Sequence, residues 1–415
     1  MPEASADGHG ASAMERRTGP SPLVLHMAMA RWQYAGALAA LTAMMAGGDL
    51  PGVDPNALAT WQDAYGDMPT SDLSARLMEH CAGRLEQFLE GIERYQTDPF
   101  KRAQAPRTVA ARCESATALE CGGQGPPVVV VPSLINPSWV LDLMPGNSFV
   151  GALAQAGHRV FLVDWGAPGP TQTRYSLGDY SARQLLPLLT ELSDAHGPAH
   201  VIGYCLGGNL ALAAALEAQH MVRSFTAIAA PWDFSAMGPG ARALVSETYR
   251  QLEPVMTRTG QMPADALQAL FAQLDPTQME RKFHSFAQLN PADPADRRAM
   301  DHFIAVEDWS NSGPPLAAGA AHDCLVHFYQ DNALMHGGWV AGHGPIEPGR
   351  LECPALVVTA QRDKIVPPAS TLGLAGQLPC PTVLKVDAGH VGMMVGARAR
   401  KHCWAPVIEW VTQQT

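Results

Sequence analysis

His200-Val201-Ile202-Gly203-Tyr204-Cys205-Leu206-Gly207-Gly208-Asn209 reads as a buried strand, a sharp turn and the start of a helix. This is the layout of a nucleophile elbow, which lifts one side chain onto the top of a parallel sheet. The usual pattern at such a turn is G-x-S-x-G. Here Gly203 and Gly207 hold the glycine positions, Gly208 adds a third, and Cys205 stands at the nucleophile position. A strained turn favours residues without a Cβ, and the helix must approach the strand closely. That helix runs on through Ala211-Leu212-Ala213-Ala214-Ala215-Leu216, and its positive end favours negative charge on the sulfur. A buried structural cysteine is the plainer alternative, but strand, glycines and alanine-rich helix agree on the elbow. A thiolate leaves more readily than an alkoxide, so an acyl group on Cys205 stays activated for a second nucleophile. The motif therefore points to acyl transfer at least as strongly as to hydrolysis.

The strands around the elbow extend the pattern. Val128–Val131, Val160–Val163, Phe225–Ala229, Ala355–Val358 and Val383–Val386 are short apolar runs, as strands buried on both faces would be. Helical stretches such as Phe149–Ala156 and Ala182–Leu192 lie between the early ones. Strands alternating with helices imply a parallel sheet. The alternation stops between Trp232 and Glu352, a Met-rich interval broken by Pro239, Pro254, Pro263, Pro276, Pro291 and Pro294. It reads as a helical cap inserted into the sheet domain. Residues 22–100 also read as helices, from the spacing of Trp61, Tyr65, Leu73, Leu77, Leu85, Phe88 and Leu89.

These readings divide the chain into five segments. Residues 1–21 form a disordered Gly/Ala/Ser-rich tail and 22–122 an N-terminal helical region. Residues 123–232 form the first part of an α/β-hydrolase-like core, 233–352 the cap, and 353–415 the second part of the core.

Composition narrows the partners. With 415 residues the chain is long enough for one large domain with insertions, or for two domains. A net charge of −11 argues against nucleic acid, though not against an anionic substrate at a local basic patch. The eight cysteines form no C-x-x-C pair, so a zinc knuckle is not expected, and their scatter fits reduced cytosolic thiols. Pro22–Met45 is interrupted by His26, Arg31 and Gln33. It is too broken to span a bilayer and lacks the order of a secretory signal. It reads as a helix packed on the core, with an interfacial helix as the sharper alternative.

A cysteine nucleophile needs a base, and the base an orienting group. In this architecture they follow in the order acid, then histidine. The strand Pro354–Ala360 leads into Gln361-Arg362-Asp363-Lys364, and Thr382–Asp387 leads into Ala388-Gly389-His390-Val391-Gly392. His390 is therefore the candidate base and Asp363 the residue that fixes its tautomer. Taken alone, Asp363 would be a loop-capping carboxylate. Asp387 is the rival acid, but lies only three residues from His390 on the same segment. The oxyanion hole is expected from the backbone N–H of Leu206 and, in the loop Val131–Pro137, that of Ile135. The other histidines read as ordinary, and no spacing among them makes a metal set. The basic cluster Arg398-Arg400-Lys401-His402 reads as a solvated helix face rather than a phosphate site.

With these pieces in place, residues 125–412 resemble the polyhydroxyalkanoate synthases. The resemblance rests on Gly203-Tyr204-Cys205-Leu206-Gly207-Gly208, Val163-Asp164-Trp165-Gly166, Glu307-Asp308-Trp309-Ser310-Asn311-Ser312-Gly313, Tyr329-Gln330-Asp331-Asn332-Ala333-Leu334, Asp363-Lys364-Ile365-Val366-Pro367-Pro368 and Gly389-His390-Val391-Gly392. Ile135-Asn136 with Leu141-Asp142-Leu143 matches the family's first loop. Ser310 departs, standing where a leucine is common. The family's catalytic cysteine, aspartate and histidine fall on Cys205, Asp363 and His390, and a family cap tryptophan falls on Trp309.

The resemblance implies polymerisation of (R)-3-hydroxyacyl-CoA through a Cys205 thioester, with no cofactor and no metal. Hydroxyacyl-CoA and the growing polyester are the implied partners, with a homodimer or a second synthase subunit besides. It implies a cytoplasmic protein, at the surface of polyester granules. About a hundred residues precede the sheet, fewer than in single-component synthases and more than in the short ones. A thioesterase or polyester depolymerase on the same scaffold is the runner-up. A non-catalytic granule protein is the third reading, and it would not need an intact Cys205, Asp363 and His390.

Overall fold

In a computed structural model of the chain, residues 16–45, 54–104 and 106–414 are described. The chain forms two compact units, one of Met1–Lys101 with Thr277–Ile304, the other of Arg102–Pro276 with Ala305–Thr415.

The larger unit is built on a sheet of eight strands: β1 (Thr108–Cys113), β2 (Ala116–Gly122), β3 (Pro127–Val131), β4 (Arg159–Asp164), β5 (Ala199–Tyr204), β6 (Val222–Ile228), β7 (Ala355–Ala360) and β8 (Thr382–Val386). Their order across the sheet is β1-β2-β4-β3-β5-β6-β7-β8. From β4 to β8 every pairing is parallel, while β2 pairs antiparallel with β1 and β4. Every residue of β3, β5 and β7 is buried, which is why these strands read as continuous apolar runs rather than alternating ones. Burying each valine of β3 is worth roughly 1.5–3 kcal/mol.

Helices cover the sheet: α4 (Phe149–Gln155), capped by Ser148, whose hydroxyl accepts from Gly151 N at 2.9 Å, and α5 (Leu186–His196). The elbow helix α6 (Leu206–Glu217) is buried from Leu206 to Ala215, so it is apolar all round. Between β6 and β7 lie the cap helices α7 (Gly238–Thr259) and α8 (Ala264–Ala272).

The smaller unit contains α1 (Leu23–Met45), α2 (Pro55–Tyr65), α3 (Thr70–Thr97), α9 (Gln278–Ala287) and the first part of α10 (Pro294–Asn311). Its core joins Ala30, Phe88, Ile92, Tyr95, Phe283, Phe286, Met300 and Ile304. A Cβ on Gly91 would lie 2.1 Å from the Phe283 carbonyl oxygen, so that glycine lets α3 and α9 close on each other. Buried Glu280 accepts from Arg84 Nε at 3.0 Å, Arg84 Nη2 at 2.7 Å and Tyr34 Oη at 2.7 Å. Along α1, His26, Ala30 and Leu41 are buried while Val24 and Trp32 are exposed. Among the described residues no helix is long and apolar enough to cross a membrane.

The parallel α/β core and its strands stand where the sequence places them, with three differences, the first being that β8, at the sheet edge, exposes Thr382, Val383 and Lys385 instead of being buried on both faces. The sheet starts at Thr108, inside the segment assigned to the N-terminal helical region. The strands of the hairpin β1–β2, TVAARC and ATALECG, are rich in Ala, which carries little strand signal. Residues 277–304, read as part of the cap, belong to the compact unit that holds the N-terminal helices. Their apolar positions pack on α3, a distant pairing that periodicity cannot reveal. The expected disordered tail at 1–21 lies outside the described residues as far as residue 15.

Candidate active site

Cys205 sits between β5 and α6 with φ 54° and ψ −133°, in the left-handed half of backbone space. For a residue with a Cβ this costs of order 1–3 kcal/mol and persists only where the surroundings impose it. Here the surroundings are hydrogen bonds and tight glycines. Cys205 N donates to Ile228 O at 2.8 Å, and Cys205 O accepts from Gly208 N at 2.8 Å. A Cβ on Gly207 would lie 2.2 Å from Val131 O, and one on Gly208 2.6 Å from the Ala230 side chain. Only glycines let the start of α6 seat against β3 and the segment after β6, and that seating forces the sharp turn.

The ends of β7 and β8 supply the partners. His390 Nδ1 donates to Asp363 Oδ2 at 2.7 Å, with both side chains nearly inaccessible. The other oxygen, Asp363 Oδ1, accepts from Ile365 N and Val366 N at 2.8 Å each. Asp363 is thus both a loop cap and the partner of His390. The loop it caps holds the carboxylate still while its second oxygen faces the ring.

Burial alone would lower the His390 pKa. The charges of Cys205 and Asp363 outweigh it, with hydrogen bonds to both, and the ring is raised to about 10. Tyr204, one residue before Cys205, stacks on His390 at 5.3 Å between centroids and donates its hydroxyl to His390 O at 3.2 Å. Asp387 lies elsewhere: it is exposed and ion-paired with Arg362 at 2.8 Å.

The loop after β3 is braced from several sides. Trp165 Nε1 donates to Pro132 O at 3.0 Å, Trp309 Nε1 to Pro137 O at 2.8 Å, and Gln268 Nε2 to Asn136 Oδ1 at 3.2 Å. Ser138 Oγ donates to Asp164 Oδ2 at 3.1 Å. Within the loop Ile135 N donates to Ser133 Oγ at 3.2 Å, so that expected oxyanion donor already has an internal acceptor. Leu206 is the first residue of α6, where a backbone N–H has no carbonyl one turn back.

The bracing by Trp165, Asp164, Gln268 and Ser138, and the stacking of Tyr204, were not read from the sequence. The tryptophan and aspartate stand in recognised segments, but nothing in their spacing says what they bond. Tyr204 occupies the free position of the elbow pattern, where no residue type is demanded.

All eight cysteines are free. Burial, opposed by Arg107, pushes Cys121 up to about 12, and burial likewise pushes Cys403 up to about 12 and Cys353 to about 11. Cys324 and Tyr329 are also raised by burial, and both lie near enough to feel charge on Cys205. Burial therefore favours the neutral thiol at Cys324. The cluster Arg398-Arg400-Lys401-His402 is exposed, with Arg398 facing Asp387 at 3.9 Å and Arg400 donating to Gln155 at 3.3 Å.

Comparison with known proteins gives a family match and relatives. The model of the alpha/beta hydrolase fold matches residues 126–397. The poly(3-hydroxyalkanoate) polymerase subunit PhaC of Haloferax mediterranei is 27% identical over 70% of this chain and 59% of its own length. The subunit of the same name from Allochromatium vinosum is 26% identical, over 69% of this chain and 81% of its own. That from Synechocystis is 28% identical, over 69% of this chain and 78% of its own.

Proposed function

The chain belongs to the alpha/beta hydrolase fold family and, within it, to the polyhydroxyalkanoate synthases, and we propose that it is an acyltransferase that polymerises 3-hydroxyacyl groups from coenzyme A thioesters. The observation that carries the reading is the Asp363–His390 hydrogen bond at 2.7 Å beside a cysteine, not a serine, on the elbow. Two of the similar proteins, including the Haloferax one, match over only about 60% of their own length, and the activity rests on the site together with that likeness.

In the proposed cycle His390 takes the proton of the Cys205 thiol, and the sulfur attacks the thioester carbonyl of a hydroxyacyl-CoA. The oxyanion forms against the Leu206 N–H, with Ile135 N–H turning to it from Ser133. The bond to the CoA sulfur breaks, and His390 passes its proton to that sulfur. The acyl group now sits on Cys205 as a thioester of similar energy to the one consumed. His390 then takes the proton of the hydroxyl of a second hydroxyacyl-CoA. The alkoxide attacks the Cys205 thioester, an ester bond forms, and the Cys205 sulfur is released beside a protonated His390. The lengthened acyl-CoA can acylate Cys205 again. Asp363 holds the Nδ1 proton throughout and leaves the other nitrogen for transfer. A homodimer, a second subunit and a place at the polyester surface are part of the same proposal.

Product analysis with pure protein and 3-hydroxybutyryl-CoA tests it. Oligomeric ester with free CoA is the expected result. Free hydroxy acid with CoA would replace it with a thioesterase.

A further inference from the structure

We propose that His322, Asp323 and His327 form a binding site for one divalent transition-metal ion, Zn2+ by its chemistry. Each of the three offers one ligand atom, and these atoms all lie within 4.8 Å of one another. This is the group of its kind among the described residues, and it stands apart from the Cys205, Asp363 and His390 set.

The backbone explains why it forms and why the sequence hid it. The short helix Ala318–His322 runs into a π-helical turn, Asp323–Phe328, where bonds span five residues; Tyr329 N to Cys324 O at 3.1 Å and Asp331 N to Val326 O at 3.0 Å are of this kind. In an α-helix residues five apart point about 140° from each other. A π turn brings residue i+5 back over residue i, and such turns occur often at functional sites. The His322 and His327 rings accordingly meet at 4.8 Å between centroids, inclined at 63°.

Two further contacts hold the donors. Asp323 Oδ2 accepts from Leu177 N at 2.8 Å, at the first turn of a helix capped by Ser176. The carboxylate is therefore anchored from outside, as ligating carboxylates commonly are. Tyr249 packs edge-on against His322, 5.7 Å between centroids. Donors about 2.1 Å from one ion would stand about 3.4 Å apart, so the rings need only turn inward by side-chain rotation. Two imidazoles and a carboxylate suit Zn2+ or Co2+ and disfavour Mg2+ and Ca2+, which want oxygen. A fourth position is left for water. Ion binding would tie the π turn to the Leu177 helix, and the same turn carries Cys324.

The test uses the full chain without a histidine tag, in a Cys205→Ala background so that the elbow thiol cannot bind metal. After chelator treatment and dialysis, Co2+ is titrated in by absorption and Zn2+ by calorimetry. One equivalent should bind, with visible d–d bands and no sulfur-to-cobalt charge-transfer band. Zn2+ should raise the melting temperature. His327→Asn and His322→Gln should each weaken binding by at least about 100-fold, beyond the 10–100-fold loss typical of an outer-shell partner. Metal-free melting of these variants should match the parent, which separates lost ligation from lost folding. Absence of stoichiometric uptake would overturn the proposal. So would undiminished uptake in both histidine variants, or a charge-transfer band that reports a thiolate ligand.

Discussion

Each side chain of the proposed triad is held by something other than its catalytic partner. Cys205 is forced into its turn by Gly207 and Gly208, Asp363 by two backbone N–H groups, and His390 by Tyr204. Cys205→Ala should abolish CoA release, read as free thiol against time; retained turnover would remove Cys205 as nucleophile. Asp363→Asn should lower the rate by up to about 10,000-fold, the scale seen when a triad acid becomes an amide. It should also bring the His390 pKa down from about 10, since one of the charges that raises it is gone. The pH dependence of Cys205 alkylation would report that shift. An unchanged profile would mean that Asp363 does not face the base in solution. The placement of Cys205 at the elbow and of Asp363 against His390 was legible because each stands just past a strand in a fixed chain order. The Ser133 contact of Ile135 was not, because a two-residue side-chain turn leaves no pattern.

At the scale of elements, the elbow and the loop after β3 depend on close approach and bracing. Gly207→Ala would drive a methyl into Val131 O. Overpacking of this kind costs about 1–3 kcal/mol, so the melting temperature should fall along with activity. A neutral substitution would contradict the packing described. Trp309→Phe keeps most of the ring but loses the Nε1 bond to Pro137 O, worth about 0.5–1.5 kcal/mol in stability. If the bond positions the loop, turnover should fall much further than stability does, because small misplacements are expensive in rate. Parallel strands and the elbow helix could be read from apolar runs and glycines. The β1–β2 hairpin could not, because its Ala-rich strands carry little strand signal. The π turn at Asp323–Phe328 also leaves no mark, since nothing local separates a five-residue bond from an α-helical one.

For the whole molecule, the sequence divided the chain by local pattern and the fold divides it by contact. Residues 277–304 join helices some two hundred positions earlier through Phe283, Phe286 and Glu280, a grouping set by long-range packing. Global stability should also carry a mark of the core histidine His200, which bonds Ser224 at 2.7 Å. Burial first, then the charges of His158 and Arg223, push its pKa down to about 4. The folded chain keeps His200 neutral, while the unfolded chain takes up a proton below about pH 6.5. Its contribution is therefore full above about pH 6.5 and is lost as pH falls toward 4, by about 3 kcal/mol in all. Urea midpoints across this window should fall more steeply for the parent than for His200→Asn. Equal slopes would show that the site is solvated. The proposed chemistry is covalent. The most direct measurement is intact mass with peptide mapping after acid quenching of a reaction with 3-hydroxybutyryl-CoA. One or more hydroxybutyryl units are expected on Cys205, and none on the Cys205→Ala protein. Release of CoA with Cys205 left unmodified, or an adduct mapping to another residue, would contradict it.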